Sequence, residues 1–273
     1  MYKRVLFAVD LEGVNRVVGE AYMGLHRDSD EWNIARHQAA LEINAAAGAL
    51  FDLGVEKIGV WDNHGSGNNI DASSLDPRLE LIAHVPPRMS FIDGEYDCIC
   101  YFGYHAMEGT LGGVLAHTMS SKSVQHYKLN GKYIGEIDMD AYIAASYGVP
   151  SCFFAGGDIA VSQAKRAVPS IVTVITKFEK GRNRAIFRDN EELFADIKKN
   201  IVIAVSEKVS VNALAFPSVF ERSFKRVEDA EKYLLRLQKL GIDAAYPDDE
   251  ILGKDAHTVV STVHDIGEFI KCI

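Results

Sequence analysis

Short apolar runs, each ending in a polar or acidic cluster, alternate along this chain with longer stretches of helical spacing. Residues 5–9 are apolar and run into Asp10, Glu12 and Gly13. Residues 57–62 run into Asn63 and His64, and residues 79–84 into a turn set by Pro86 and Pro87. Residues 97–104 are almost continuously apolar, end at His105, and read as a central strand. Residues 150–155 and the β-branched residues 171–177 complete the set. Between them, residues 31–53 have helical spacing and stop at Gly54, with His37 and Glu42 read as helix-surface residues. Residues 137–147 form a second helix, 159–168 a third with Asp158 as its cap, and 190–205 a fourth. Asn130-Gly131 between alternating residues is a hairpin signal. The alternation predicts an α/β fold, a mostly parallel sheet flanked by helices, over residues 1–206. Beyond 207 the pattern changes: an alternating strand at 218–226, a helix at 228–240, a strand at 257–261 and a helix at 264–273 predict a smaller α+β domain over 207–273, suited to oligomerisation or to acting as a lid.

Composition narrows the class. Of 273 residues 48% are hydrophobic and 25% charged, and the net charge is −9. An acidic chain without a basic stripe excludes a nucleic-acid partner. Cys98, Cys100, Cys152 and Cys272 lack paired C-x-x-C spacing and read as buried reduced thiols, with Cys98 and Cys100 on one face of a strand. The first apolar run is broken at Asp10, and no run reaches the ~18 residues of a membrane span. The expectation is a soluble, cytoplasmic protein.

The chemistry concentrates at strand exits, where ligands bind in α/β sheets. In an extended segment Asp10 and Glu12 project to the same side and can converge on one cation. His64 follows one strand, with Asp62 or Asn63 as its orienters, and His105 follows another. A glycine-bearing loop then leads to His117, and Glu136 follows the hairpin. Taken singly these are weak signals: His105 and His117 read equally as surface histidines, and Glu136 as a match to a helix dipole. Together, three carboxylates and two imidazoles suit two borderline divalent ions, zinc above all. His117 is then left for acid, base or nucleophile work.

The segments DLEG, WDNHGSGNN, FGYHAMEGTLGGVLAHTM, LNGKYIGEIDMDAY and VPSCFFAGGD, in their order and approximate spacing, resemble the bacterial zinc-dependent D-aminopeptidases over roughly the first 180 residues. The resemblance implies a dizinc aminopeptidase with Asp10, Glu12, His64, His105 and Glu136 as metal ligands and His117 as the proposed nucleophile. It also implies two domains, two zinc ions per chain and a ring-shaped ten-subunit homo-oligomer enclosing the active sites. The chain departs from the family pattern at Trp61-Asp62-Asn63-His64, where N-D-S-H is expected, and at Gly157, which replaces an acidic residue. These changes bear on substrate preference and leave the ligands intact. The expected substrates are short peptides with a free amino terminus, D-amino-acid peptides among them. Two alternatives stand beside this: another dinuclear metallohydrolase such as a phosphoesterase, for which Lys177 or Arg184 would supply an anion clamp, and a non-enzymatic ligand-binding protein.

Overall fold

The computed structural model describes residues 1–82, 88–211 and 213–273; the expected strand end at His84 and the turn at Pro86 and Pro87 lie outside the described residues. In chain order the elements are β1 (Arg4–Val9), α1 (Asp30–Leu53), β2 (Lys57–Asp62), β3 (Glu80–Ile82), β4 (Cys98–Tyr104), β5 (Val124–Leu129), β6 (Lys132–Ile134) and α2 (Glu136–Ser146). Then follow β7 (Ser151–Gly156), α3 (Asp158–Ala167), β8 (Val172–Ile175), β9 (Lys177–Gly181), β10 (Arg184–Phe187) and α4 (Asn190–Ser206). The last part holds β11 (Ser218–Phe224), α5 (Val227–Lys239), β12 (Ala244–Ala245), β13 (Asp248–Asp249), β14 (Gly253–Lys254), β15 (Thr258–Val263) and α6 (Ile266–Cys272).

Six strands form one parallel sheet in the order β3-β2-β1-β4-β7-β8. Both faces are covered, which is why its strands read as unbroken apolar runs. Val5, Phe7 and Val9 pack under α1 and α4, against residues such as Ile43, Leu50 and Ile197, and Cys98 and Cys100 share that face. Leu6 and Ala8 point the other way, into a core with Tyr101, Ile137, Ile143 and Phe220. All four cysteines are free and buried. From β1 the chain builds outward through β2 to β3, then returns to lay β4 on the other side of β1. The carboxyl ends of β1 and β4 therefore flank the point where strand order reverses, the crevice in which open α/β sheets bind ligands.

The second sheet is antiparallel, in the order β12-β15-β11-β5-β6. The hairpin at Asn130-Gly131 forms as the sequence predicts, but β5 pairs with β11. The sheet of the C-terminal segment thus takes two strands from the middle of the chain.

Two local expectations are corrected. Asp158 does not cap α3: the cap position is Gly157, and the Asp158 carboxylate accepts the backbone N–H of Glu179 at 2.8 Å. Glu42 is not a helix-surface residue, although His37 is exposed as expected. Glu42 is fully buried, because α4 packs on α1, and accepts from Asn15 N at 2.8 Å and Gln38 Nε2 at 3.0 Å. Burial pushes its carboxyl up to about 7, against those hydrogen bonds and the Lys177 charge.

One close approach sets the crevice. Asp10 N donates to Phe102 O at 2.8 Å and Gly13 N to Gly103 O at 2.6 Å, so the loop leaving β1 lies directly on the end of β4. Gly103 has φ +70°, and a Cβ there would overlap the carbonyl group of Asp10. Gly103→Ala combines that overlap with a left-handed backbone. It is expected to cost about 3 kcal/mol or more in denaturant unfolding, in the range of overpacked and strained core positions. A loss below about 1 kcal/mol would mean that the two segments can part without consequence.

Candidate metal centre

All six residues singled out in the sequence converge at this crevice. Asp10 and Glu12 leave β1 on the same side, both buried, and each places a carboxylate oxygen 3.1 Å from Nδ1 of His64, which leaves β2. His105, next after β4, has Nε2 at 3.4 Å from Asp10 Oδ2 and 3.5 Å from Glu136 Oε1. Glu136 is the first residue of α2 and does more than match its dipole: Oε1 accepts the N–H of Met119 at 2.7 Å, tying the loop after His117 to the helix. His117 stacks on His105 with ring centroids 4.0 Å apart and planes 10° from parallel, and its N–H donates to Ala106 O.

The imidazoles are oriented by backbone. Nδ1 of His105 meets Ala106 O at 3.0 Å and Nδ1 of His117 meets Leu115 O at 2.9 Å. A carbonyl can only accept, so both Nδ1 atoms carry the proton and both Nε2 atoms face the site. Nε2 of His105 is buried and satisfies no hydrogen bond despite its two carboxylate neighbours. Ligand atoms of Asp10, Glu12 and His105 lie within 4.8 Å of one another, and so do those of His105, His117 and Glu136. An orphaned, correctly oriented imidazole nitrogen shared by two sets of mixed oxygen and nitrogen donors fits a pair of divalent cations, with no sulfur in the donor set.

Electrostatics points the same way. Burial works against the charged form of Asp10, yet the imidazoles of His105 and His64 beside it hold its carboxyl well below the usual range. Glu136, also opposed by burial, is held at about 2 by His105. Burial should discharge the imidazoles, but Glu12 and Asp10 push His64 up to about 11, and Asp10 and Glu136 push His105 well above its ordinary value. The carboxylates demand positive charge, and protons on the two imidazoles supply it. A cation in the same place would supply it instead, and the two imidazoles would then hold it as neutral ligands.

Several residues hold the site in ways the sequence reading did not show. Lys177, at the start of β9, is fully buried, and its ammonium donates to three carbonyls: Glu12, Val14 at 3.0 Å and Val17 at 2.6 Å. Thr176 Oγ1 adds a bond to Gly13 O at 2.6 Å. Burial lowers the Lys177 amine to about 8, opposed by the charges of Glu179 and Glu42. Lys177 is thus no anion clamp; nor is Arg184, which is exposed and donates to Lys180 O. Asp140 lies one turn after Glu136 on α2, a spacing that could have marked it. It binds Arg88 through two bonds of 2.6 and 2.8 Å and accepts from Tyr104 Oη at 2.7 Å and Asn63 Nδ2 at 3.3 Å. Asp62, read as an orienter of His64, acts through Asn69: its carboxylate takes both the N–H and the amide of Asn69, whose amide also donates to His64 O at 2.7 Å. The site opens on a cavity of about 450 Å³.

Lys177→Met would leave three buried carbonyls without a donor. It is expected to destabilise the protein by about 3 kcal/mol or more in denaturant unfolding, the scale for stranding buried polar groups and losing a buried charge partner. A near-neutral result would show that the loop after β1 holds its shape without the ammonium.

Comparison with known proteins gives a consistent placement. The model of the D-aminopeptidase family matches residues 3–237. A D-aminopeptidase of Bacillus subtilis (strain 168) is 29% identical over 179 residues, which is 64% of this chain and 63% of that protein, so the match spans less than two thirds of the relative's length. Among solved structures, the Zn-dependent D-aminopeptidase DppA from Bacillus subtilis, described as a self-compartmentalizing protease, has the same fold. The TM-score is 0.83 at 24% identity, covering 98% of this chain and 94% of that one. With the family model spanning most of its length and the crevice residues assembled as described, the chain belongs to the D-aminopeptidase family of peptidases.

Proposed function

We propose that this chain is a zinc-dependent aminopeptidase that hydrolyses short peptides with a free amino terminus, D-amino-acid peptides among them. The observation that carries this reading is the buried, unpartnered Nε2 of His105 between the carboxylates of Asp10 and Glu136, joined to two donor sets. In this reading Asp10, Glu12, His64, His105 and Glu136 hold two zinc ions, which when bound supply Lewis acidity at the scissile carbonyl and an acidified water. With Nδ1 engaged by Ala106 O, Nε2 is the atom through which His105 would hold a cation. His117, half-buried with Nδ1 fixed on Leu115 O, presents Nε2 as the proton carrier or nucleophile. Stacking on His105 keeps its ring in plane. The acidic floor of the cavity attracts the substrate's amino terminus, and a volume of about 450 Å³ favours short peptides.

The wider assignment belongs to the same proposal. Residues 1–206 would form the catalytic domain and 207–273 a smaller one used in assembly. The relative of the same fold is self-compartmentalizing, and we extend that to a homo-oligomer here, a ten-subunit ring. The tip between β13 and β14 exposes Ile251 and Leu252 at 92% and 70%, apolar surface that a second subunit would cover. No helix among the described residues is long and apolar enough to cross a membrane, and four free buried thiols suit the cytoplasm.

Elemental analysis and peptide kinetics on the same samples test the site. Zinc-supplemented protein is expected to carry about two ions per chain, and His105→Ala to lose at least one. His117→Ala should keep its zinc while turnover falls roughly a hundredfold or more. Zinc-free wild type, or loss of zinc with activity retained in His117→Ala, would overturn these roles. Light scattering at micromolar concentration is expected to report a large homo-oligomer; a monomer would refute the ring.

A further inference from the structure

The cavity that carries the donor cluster is lined at its mouth by Arg27, Lys122 and Arg182, all exposed, in a chain whose net charge is −9. A fourth cation of the lining, Arg88, is neutralised by Asp140. The other three differ. Arg27 gives a hydrogen bond to Asn68 O at 3.2 Å and Arg182 one to Ala116 O at 3.0 Å, and among the described residues none of the three is in a salt bridge.

Arg182 is also held in place. It occupies the two-residue turn between β9 and β10, and its carbonyl accepts the N–H of Leu115 at 2.9 Å. The bond from Nη1 to Ala116 O and the bond from Asn183 Nδ2 to Val18 O at 2.8 Å fasten the turn on both sides of the crevice. The guanidinium is thereby anchored beside the backbone just before His117 and keeps further N–H donors unused. A planar fork fixed in this way is pre-organised for a carboxylate.

We infer that Arg182, assisted by Lys122 and Arg27, binds the free carboxyl-terminal carboxylate of the substrate, so that the enzyme selects peptides short enough to span from the metal centre to the mouth of the cavity. This inference rests on the aminopeptidase reading. The pocket is polarised, carboxylates on the floor and cations at the mouth, and a short zwitterionic peptide has the complementary polarity. Peptide length would then be read from both ends of the substrate at once. Long chains and carboxyl-terminal amides would lose the distal contact.

The test uses zinc-loaded full-length protein with alanyl dipeptides, in D and L form, and their carboxyl-terminal amides. For wild type the free acid is expected to exceed the amide in kcat/KM by about tenfold or more, mainly through KM, the scale of one charge-assisted contact. In Arg182→Gln the acid-to-amide ratio should collapse toward one, and Arg182→Lys should restore part of it. An equal ratio in wild type, or an unchanged ratio in Arg182→Gln, overturns the carboxylate site; an equal fall for both substrates would assign Arg182 to support of the His117 loop instead. Calorimetric binding of acid and amide separates the two readings. Selective binding of the acid, lost in Arg182→Gln but without turnover in wild type, upholds the carboxylate site and overturns the peptidase reading. Absence of selective binding overturns the site.

Discussion

The loop leaving β1 and the end of β4 touch backbone to backbone, and the rest of the site follows from that contact. Without a side chain at Gly103 the carbonyl of Asp10 can sit against its α-carbon, and Gly13 can donate to Gly103 O. Asp10 and Glu12 are thereby delivered beside His105 by main-chain geometry, which is stiffer than any side-chain arrangement. The position is also where the strand order turns back on itself, so β2 contributes His64 from one side while the segment after β4 contributes His105 and His117 from the other.

A loop pressed so tightly turns several carbonyls inward, and a buried ammonium collects them. Lys177 spends all three of its protons on the carbonyls of Glu12, Val14 and Val17, a use in which it needs no carboxylate contact. Its charge is offset by Glu42 and Glu179 nearby. Glu179 in turn accepts from Val114 N at 2.7 Å and Ile159 N at 3.0 Å, so β9 ties together the loop after β1, the approach to His117 and the start of α3. The candidate metal centre is thus backed by a second layer of charge.

What could be read from the sequence was what short-range pattern encodes. The strands of the parallel sheet stood out because burial on both faces makes them continuously apolar, and the six site residues stood out because most sit at the exit of such a run. What escaped depends on partners far along the chain. Lys177 looked like a strand end and a candidate anion clamp because the carbonyls it serves lie near the amino terminus. Glu42 looked like a surface residue because an alanine-rich helix has no sharp polar stripe, and only the packing of α4 reveals that it is enclosed. Arg182 belongs to a hairpin whose strands are half exposed and weakly patterned. Asn130-Gly131 announced its hairpin, but nothing local says that β5 would pair with β11.

That last pairing bears on the order in which the protein is made. β5 and β6 lead straight into α2, whose first residue is Glu136, and the free edge of β5 is filled by β11, with Phe220 and Phe224 opposite Leu129 and Val124. During synthesis the six strands of the parallel sheet emerge well before β11 does, so the crevice acquires its β1 and β4 walls while the Glu136 corner still lacks its neighbouring strand. A nascent chain stalled at that stage carries the β1 and β4 walls of the crevice without the packing that steadies Glu136. Completion of the second sheet, which waits for β11, is therefore the step that finishes the support of the Glu136 corner after the other walls of the crevice are in place.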